Sequence, residues 1–151
     1  MKQASLSTPF GDLILTEDGG AIAALGWGRA ARQDRSDLLE TALAQLGEYA
    51  QGRRRSFDLP LRVAGSDFLR AVCRAIAAIP FGETRTYGEI ARELGVPAQA
   101  VGGACGGNPI PILIPCHRVM GARGLTGFSG AGGVETKVAL LRHEGAAGLL
   151  I

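Results

Sequence analysis

The stretch Asn108-Pro109-Ile110-Pro111-Ile112-Leu113-Ile114-Pro115-Cys116-His117-Arg118-Val119 sets a thiol beside an imidazole at the end of an apolar run. A cysteine in such a place can be shielded from bulk water and still lose its proton to a neighbouring base, which makes it a candidate nucleophile. Read alone, a buried cysteine is more often a small hydrophobe of the core. A Cys-His neighbour pair does not decide between the two, so the surrounding chain has to.

Immediately upstream, Ala100-Val101-Gly102-Gly103-Ala104-Cys105-Gly106-Gly107 is poor helical material. Each interior glycine costs a helix roughly 1 kcal/mol relative to alanine. Four of them mark either a plain loop or a helix whose backbone must approach something large and flat. A helix of small residues fits the DNA minor groove, which is too narrow for an ordinary recognition helix. A phosphate-binding P-loop is excluded, because no Lys-Ser/Thr follows the glycines. Further back, Thr86 is placed to cap a helix over 87–94, Gly95-Val96-Pro97 breaks it, and a second helix is expected over 98–106. Helix, three-residue turn, helix is the helix-turn-helix arrangement. Before it, Ser66-Asp67 caps a helix reaching about residue 79, with Phe68, Leu69, Val72, Cys73, Ile76 and Ile79 at helical spacing. That pattern places Cys73 in the core without chemistry.

The N-terminal third reads differently. Strands over 4–8 and 13–16 flank Pro9-Phe10-Gly11-Asp12, a turn, and Gly19-Gly20 leads into a third strand over 21–27. Residues 29–35 are polar and loop-like. Ser36 caps a helix through residue 49, with Leu38, Leu39, Ala42, Leu43 and Leu46 on one face. Gly52-Arg53-Arg54-Arg55 ends it, and the three arginines read as a solvated loop rather than a phosphate site. Residues 56–65 form a connector.

The chain has 151 residues, 46% of them apolar, which suits one domain or two small ones sharing an interface. No apolar run has the length of a membrane span, and Met1-Lys2-Gln3-Ala4-Ser5 lacks the apolar core of a signal peptide. Three cysteines cannot all pair, and two histidines without a CxxC speak against a zinc site. A cytoplasmic protein with reduced thiols is expected. Residues 1–60 hold seven Lys/Arg against eight Asp/Glu, and residues 61–151 hold nine against six. The basic excess lies in the half that carries Cys116, which is compatible with DNA binding but weak evidence for it.

With these features around it, the 108–119 stretch resembles the active-site signature of the O6-alkylguanine-DNA alkyltransferases (methylated-DNA–protein-cysteine methyltransferases). The resemblance is strong over about residues 66–146 and only architectural over the N-terminal third. It implies an α/β chain: a small α/β N-terminal domain (ribonuclease H-like) over 1–60, then a mainly α, winged-helix-like DNA-binding domain over 61–151. It implies direct, single-turnover transfer of the alkyl group from O6-alkylguanine, with O4-alkylthymine as a further candidate, in double-stranded DNA to Cys116 after base flipping. In this reading His117 is the general base through a bound water, Glu144 its carboxylate partner, and Asn108 the organiser of the turn. Tyr87 presses on the target phosphate and lies with Gly88, Gln99, Ala100 and Gly103 on the DNA-binding element. Pro111 and Ser129 border the pocket, which a loop over 124–133 closes. His143 reads as a surface residue at a helix end. No metal, no cofactor and no membrane are implied, and a monomer is expected.

The chain departs from the family pattern in two places. Gln99 stands where the family usually has an arginine that fills the space left by the flipped base. Gln is shorter and uncharged, so flipping is expected to be weaker or to be helped by another cation, for which Arg123 is the candidate. Phe128 stands where many members have a tyrosine, keeping the stacking face and losing a donor to the departing guanine, so slower transfer is expected. Two other classes remain open at this point: a lesion-binding protein that recognises alkylguanine without repairing it, and a turning-over thiol hydrolase using Cys116, His117 and Glu144. Cys116 argues against the first, and the second leaves the glycine helix unexplained.

Overall fold

In the computed structural model, which describes residues 1–122 and 133–146, the chain first turns at Gly11. Its φ of +110° is a conformation that side-chain-bearing residues rarely adopt. It lets Thr8 and Gly11 pair directly, so β1 (Lys2–Thr8) and β2 (Gly11–Asp18) are joined by Pro9 and Phe10 alone, a tighter turn than the four residues expected. Strand β3 (Ala21–Trp27) returns antiparallel to β2 after Gly19 and Gly20, both at positive φ, and the sheet order is β1-β2-β3. The strands run longer than their apolar residues alone suggest, because Lys2 faces Glu17 across the ladder and opposite charges there are mutually supporting.

Side chains of a strand alternate between faces. Leu13 and Leu15 therefore point together into the core, alongside Ala4, Ile22 and Leu25. Helix α1 (Asp37–Ala50) contributes Leu39, Ala42, Leu46 and Tyr49 to the same core. The Ser36 hydroxyl caps it by accepting from the Leu39 amide at 3.0 Å. Each such leucine, fully buried, contributes about 1.5–3 kcal/mol.

The connector is not free-running. Ile22 donates to the Pro60 carbonyl at 2.8 Å and accepts from the Arg62 amide at 2.9 Å, so residues 60–62 lie along the edge of β3. Beyond it, α2 (Asp67–Ala77) is capped by the Ser66 hydroxyl accepting from the Leu69 amide at 3.1 Å. After β4 (Arg85–Thr86), helix α3 (Tyr87–Leu94) starts with a reciprocal cap: Glu89 donates its amide to the Thr86 hydroxyl, and the Glu89 carboxylate accepts the Thr86 amide. Gly95, at φ +69°, ends it, and α4 (Ala98–Gly106) follows after the expected three-residue turn. Cys116–Arg118 form a single 3-10 turn leading to β5 (Val119–Met120), which pairs parallel with β4. Helix α5 (Val134–Glu144) closes the described chain, with Gly145 as a left-handed cap.

The architecture is thus a small sheet-and-helix unit followed by a mainly helical one carrying the helix-turn-helix. Their buried side chains form one contiguous cluster from Ala4 to Leu140. Cys73 is buried in it, as its helical spacing indicates. No helix among the described residues is long and apolar enough to cross a membrane.

Candidate active site

Asn108 builds the turn that presents Cys116. Its side-chain oxygen accepts from the Ile110 amide at 3.0 Å and its amide group donates to the Ile114 carbonyl at 2.9 Å. Ile114 in turn donates to Ile110 at 2.8 Å, and Pro111 bridges Ile114 within the same loop. Ile112 sits there at φ +72°, a strained conformation for a β-branched residue, held by near-complete burial of its side chain. The Leu25 amide donates to the Pro109 carbonyl at 3.0 Å, so β3 anchors the turn from the other unit.

Cys116 and His117 follow on the 3-10 turn, with Cys116 buried and His117 fully so. His117 Nε2 lies 2.7 Å from Glu144 Oε2, at the end of α5. A carboxylate oxygen accepts, so the ring carries its proton on Nε2 and leaves Nδ1 as an acceptor. Nδ1 is the one buried side-chain nitrogen or oxygen without a hydrogen-bond partner among the described residues.

Glu144 is the hub. Arg118 donates Nε to its Oε1 at 2.8 Å and Nη2 to its Oε2 at 3.0 Å. The Tyr49 hydroxyl donates to Oε2 at 2.6 Å. Burial by itself would raise the carboxyl's pKa, but the hydrogen bonds from His117, Arg118 and Tyr49 outweigh it and hold Glu144 well below the usual carboxylate range. Burial drives the His117 imidazole down, with Glu144 opposing, so the ring rests neutral. Burial also raises the Cys116 thiol, while the Asn108 side chain and the Lys137 charge act the other way. The resting site therefore holds a thiol beside a neutral base backed by a fixed anion.

Helix α4 is the second helix of the helix-turn-helix. Val101 and Cys105 face the core, whereas Gln99, Gly103 and Gly106 are exposed and share the opposite face, spaced by four and three residues. A methyl group added at Gly102, Gly103 or Gly106 would meet nothing within 4 Å. Nothing among the described residues accounts for these glycines. Tyr87 and Gly88 open α3, both half-buried, with the Lys137 ammonium 5.9 Å from the centre of the Tyr87 ring. Ala100 is half-buried on α4 and Pro111 is buried in the Asn108 turn. Arg123, Phe128 and Ser129, with residues 124–132 of the expected closing loop, lie outside the described residues. Of the three loop arginines, Arg53 and Arg55 are exposed, whereas Arg54 is half-buried and paired with Glu48 at 2.8 Å.

His143 corrects the sequence reading. It is half-buried and engaged inward rather than free in solvent: its Nε2 donates to the Tyr49 carbonyl at 2.6 Å, and its ring packs edge-on against Tyr49 and Phe10. Tyr49, Arg118 and Lys137 carry no role in that reading. Lys137 was legible, since it shares one helix face with Leu140, Leu141 and Glu144, an inward position for a charge. Nothing local marks Tyr49. Cys105 is buried and its thiol is pushed up to about 12 by burial, which disfavours the thiolate.

Residues 1–63 match the family model described as the ribonuclease-like domain of 6-O-methylguanine DNA methyltransferase, and residues 67–146 match that of its DNA binding domain. A methylated-DNA–protein-cysteine methyltransferase of Methanosarcina acetivorans is 38% identical over 156 residues, covering 96% of this chain and 99% of the relative. One of Mycolicibacterium paratuberculosis is 53% identical over 106 residues, covering 68% of this chain and 63% of the relative. Among solved structures, Mycobacterium tuberculosis O6-methylguanine methyltransferase superposes with a TM-score of 0.82 at 39% identity, over 95% of this chain and 92% of that one. The M. tuberculosis protein OGT in complex with DNA superposes with a TM-score of 0.85 at 41% identity and the same coverage.

Proposed function

Since the chain belongs to the 6-O-methylguanine DNA methyltransferase family, we propose that it repairs DNA by moving the alkyl group of O6-alkylguanine onto its own Cys116. Its partner is DNA, in the form of a duplex bearing the lesion, met by a single copy of the chain in the cytoplasm. The division at residues 60 and 61 separates the supporting unit from the one that binds DNA.

The observation that carries the reading is His117. It is fully buried, anchored at Nε2 by an ionised carboxylate, and its Nδ1 is left to accept a proton. A proton can pass from the Cys116 thiol to Nδ1 through one water, and Glu144 then holds the imidazolium. Sγ attacks the alkyl carbon in line with the O6–carbon bond. That bond breaks, its electron pair goes to guanine, and the proton taken from the thiol balances the one the released base needs. The product is a thioether, which water does not displace, so each molecule acts once.

A stacked base must leave the helix before Cys116 can reach it, at a cost of a few kcal/mol. In the proposed complex the exposed Gln99–Gly103–Gly106 face of α4 enters the minor groove, with Ala100 beside it. Tyr87 and Gly88 meet the backbone of the target nucleotide. Gln99, assisted by Arg123, occupies the gap left by the flipped base. Pro111, Phe128 and Ser129 border the pocket, and Asn108 keeps the nucleophile's turn in shape.

Intact mass after incubation with a short duplex carrying one O6-methylguanine tests the proposal. A single gain of about 14 Da on Cys116, absent from Cys116→Ser, is expected. Binding without a mass change would replace it with lesion recognition alone. Methyl release continuing beyond one per protein would replace it with a hydrolase.

A further inference from the structure

The aromatic cluster behind the catalytic carboxylate is organised around one residue of the N-terminal unit. Tyr49 lies in the last turn of α1, is 1% exposed, and is held at both ends by consecutive residues of α5. His143 donates to its backbone carbonyl at 2.6 Å, and Glu144 accepts its hydroxyl at 2.6 Å. Its ring is walled by Phe57 at 5.4 Å, Phe10 at 6.1 Å and Phe81 at 6.2 Å between centroids. The hydroxyl thus has one place to point, at Oε2, the oxygen that also faces His117.

We propose that Tyr49 is a positioning residue for the reaction: its hydroxyl shares Glu144 Oε2 with His117 and so sets how firmly the carboxylate holds the imidazolium. The inference rests on the reading of His117 as the base that takes the Cys116 proton. An oxygen accepting three donors, here Tyr49, His117 Nε2 and Arg118 Nη2, offers each less than it would offer alone. The other groups acting on this pair among the described residues are Arg118 on the 3-10 turn, Lys137 on α5 and the Gly82 amide at 3.5 Å from Oε1, whereas His143 on α5 is turned to the Tyr49 carbonyl. Arg118 Nη2 reaches the same Oε2 as a charged donor at 3.0 Å, and Tyr49 is the neutral hydroxyl donor to it among the described residues. The hydroxyl stays protonated, because burial and the Glu144 charge both push its pKa up. The N-terminal unit therefore contributes a donor to the reacting centre, beyond its share of the core.

Tyr49→Phe removes the oxygen and keeps the ring. With Oε2 freed of one donor, Glu144 holds a protonated His117 more tightly, and the imidazole's pKa rises. The chain has two histidines, so long-range 1H–15N spectra resolve both rings. The His117 titration in Tyr49→Phe is expected to lie about half to one pH unit above the wild type. The acid limb of the methyl-transfer rate should move with it, a three- to tenfold loss below that limb with the plateau above it kept. Phe57→Leu, which loosens the same cluster without touching Glu144, should leave the His117 titration in place. Equal His117 titrations in wild type and Tyr49→Phe, or an equal shift in Phe57→Leu, would overturn the proposal. So would a wild-type spectrum with the neutral His117 proton on Nδ1, a result that needs no variant to fold. The ring titration uses no DNA, so failure of the wild type to take up a methyl group would count against the repair reading and leave this comparison standing.

Discussion

Lys137 Nζ donates to the main-chain carbonyl of Val119 at 2.5 Å from a side chain that is 1% exposed. Burial lowers the pKa of this ammonium, and the neighbouring Cys116 and Cys105 oppose the shift. The coupling is reciprocal, so the same charge favours the Cys116 thiolate. Lys137→Met, which keeps the stem and removes the charge, should slow transfer on the order of tenfold, the effect of about one unit in the thiol's pKa. The gap should narrow as pH rises toward that pKa, and DNA affinity should stay unchanged. Single-turnover rates against pH, with DNA binding measured in parallel, check this.

Gly103 is exposed at mid-helix in α4 with open space where a side chain would start. Gly103→Ala should therefore raise stability, by up to about 1 kcal/mol, while weakening binding to duplex DNA, because the new methyl group would stand on the face proposed to enter the groove. Thermal unfolding and DNA titration of the same variant should move in opposite senses. A variant that is more stable and binds equally well would remove α4 from the interface.

Acid should destabilise the fold in two stages with the same sign. His117 is buried neutral, its folded pKa below the ordinary 6.5, and Glu144 is held ionised, its folded pKa below the ordinary 4.5. For both groups the unfolded chain binds more protons in the window beneath the ordinary value, so stability rises with pH there. It is fully present above about pH 6.5 and is lost as pH falls, first through the His117 window and then below pH 4.5. Urea unfolding between pH 3 and 8 should show this slope. In Glu144→Gln the lower stage should shrink to what Asp12, Asp34 and Glu89 contribute, since their carboxyls are lowered too, from a stability already reduced because Arg118 loses its anion.

Gln99 lies exposed at the first turn of α4, on the face shared with Gly103. If it fills the space of the flipped base with less reach and no charge, Gln99→Arg should speed repair of duplex DNA several-fold, and Arg123→Ala should slow it. Neither change should alter transfer from a single-stranded oligonucleotide, where no gap has to be filled. Unchanged duplex rates for both variants would assign the work to another residue.

Much of this protein follows from neighbours in the chain. Ser36, Ser66 and Thr86 cap α1, α2 and α3 through hydrogen bonds that span three residues, and such contacts form wherever the local backbone is helical. Apolar spacing placed Cys73 inside and left the glycines of α4 without an internal purpose. The Asn108 turn is equally local, its bonds reaching two and six residues along the chain. The pairing of His117 with Glu144 is long-range, and the order of residues supplied it only through resemblance to a family. The tertiary structure alone decided the rest. Tyr49 meets Glu144 across 95 positions, His143 turns inward to the Tyr49 carbonyl, and Lys137 is sealed beside Cys116. Polar partners so far apart leave no periodic trace in a sequence. They are chosen by how packed elements bring buried donors and acceptors together, since a buried polar group without a partner costs more than a single hydrogen bond returns.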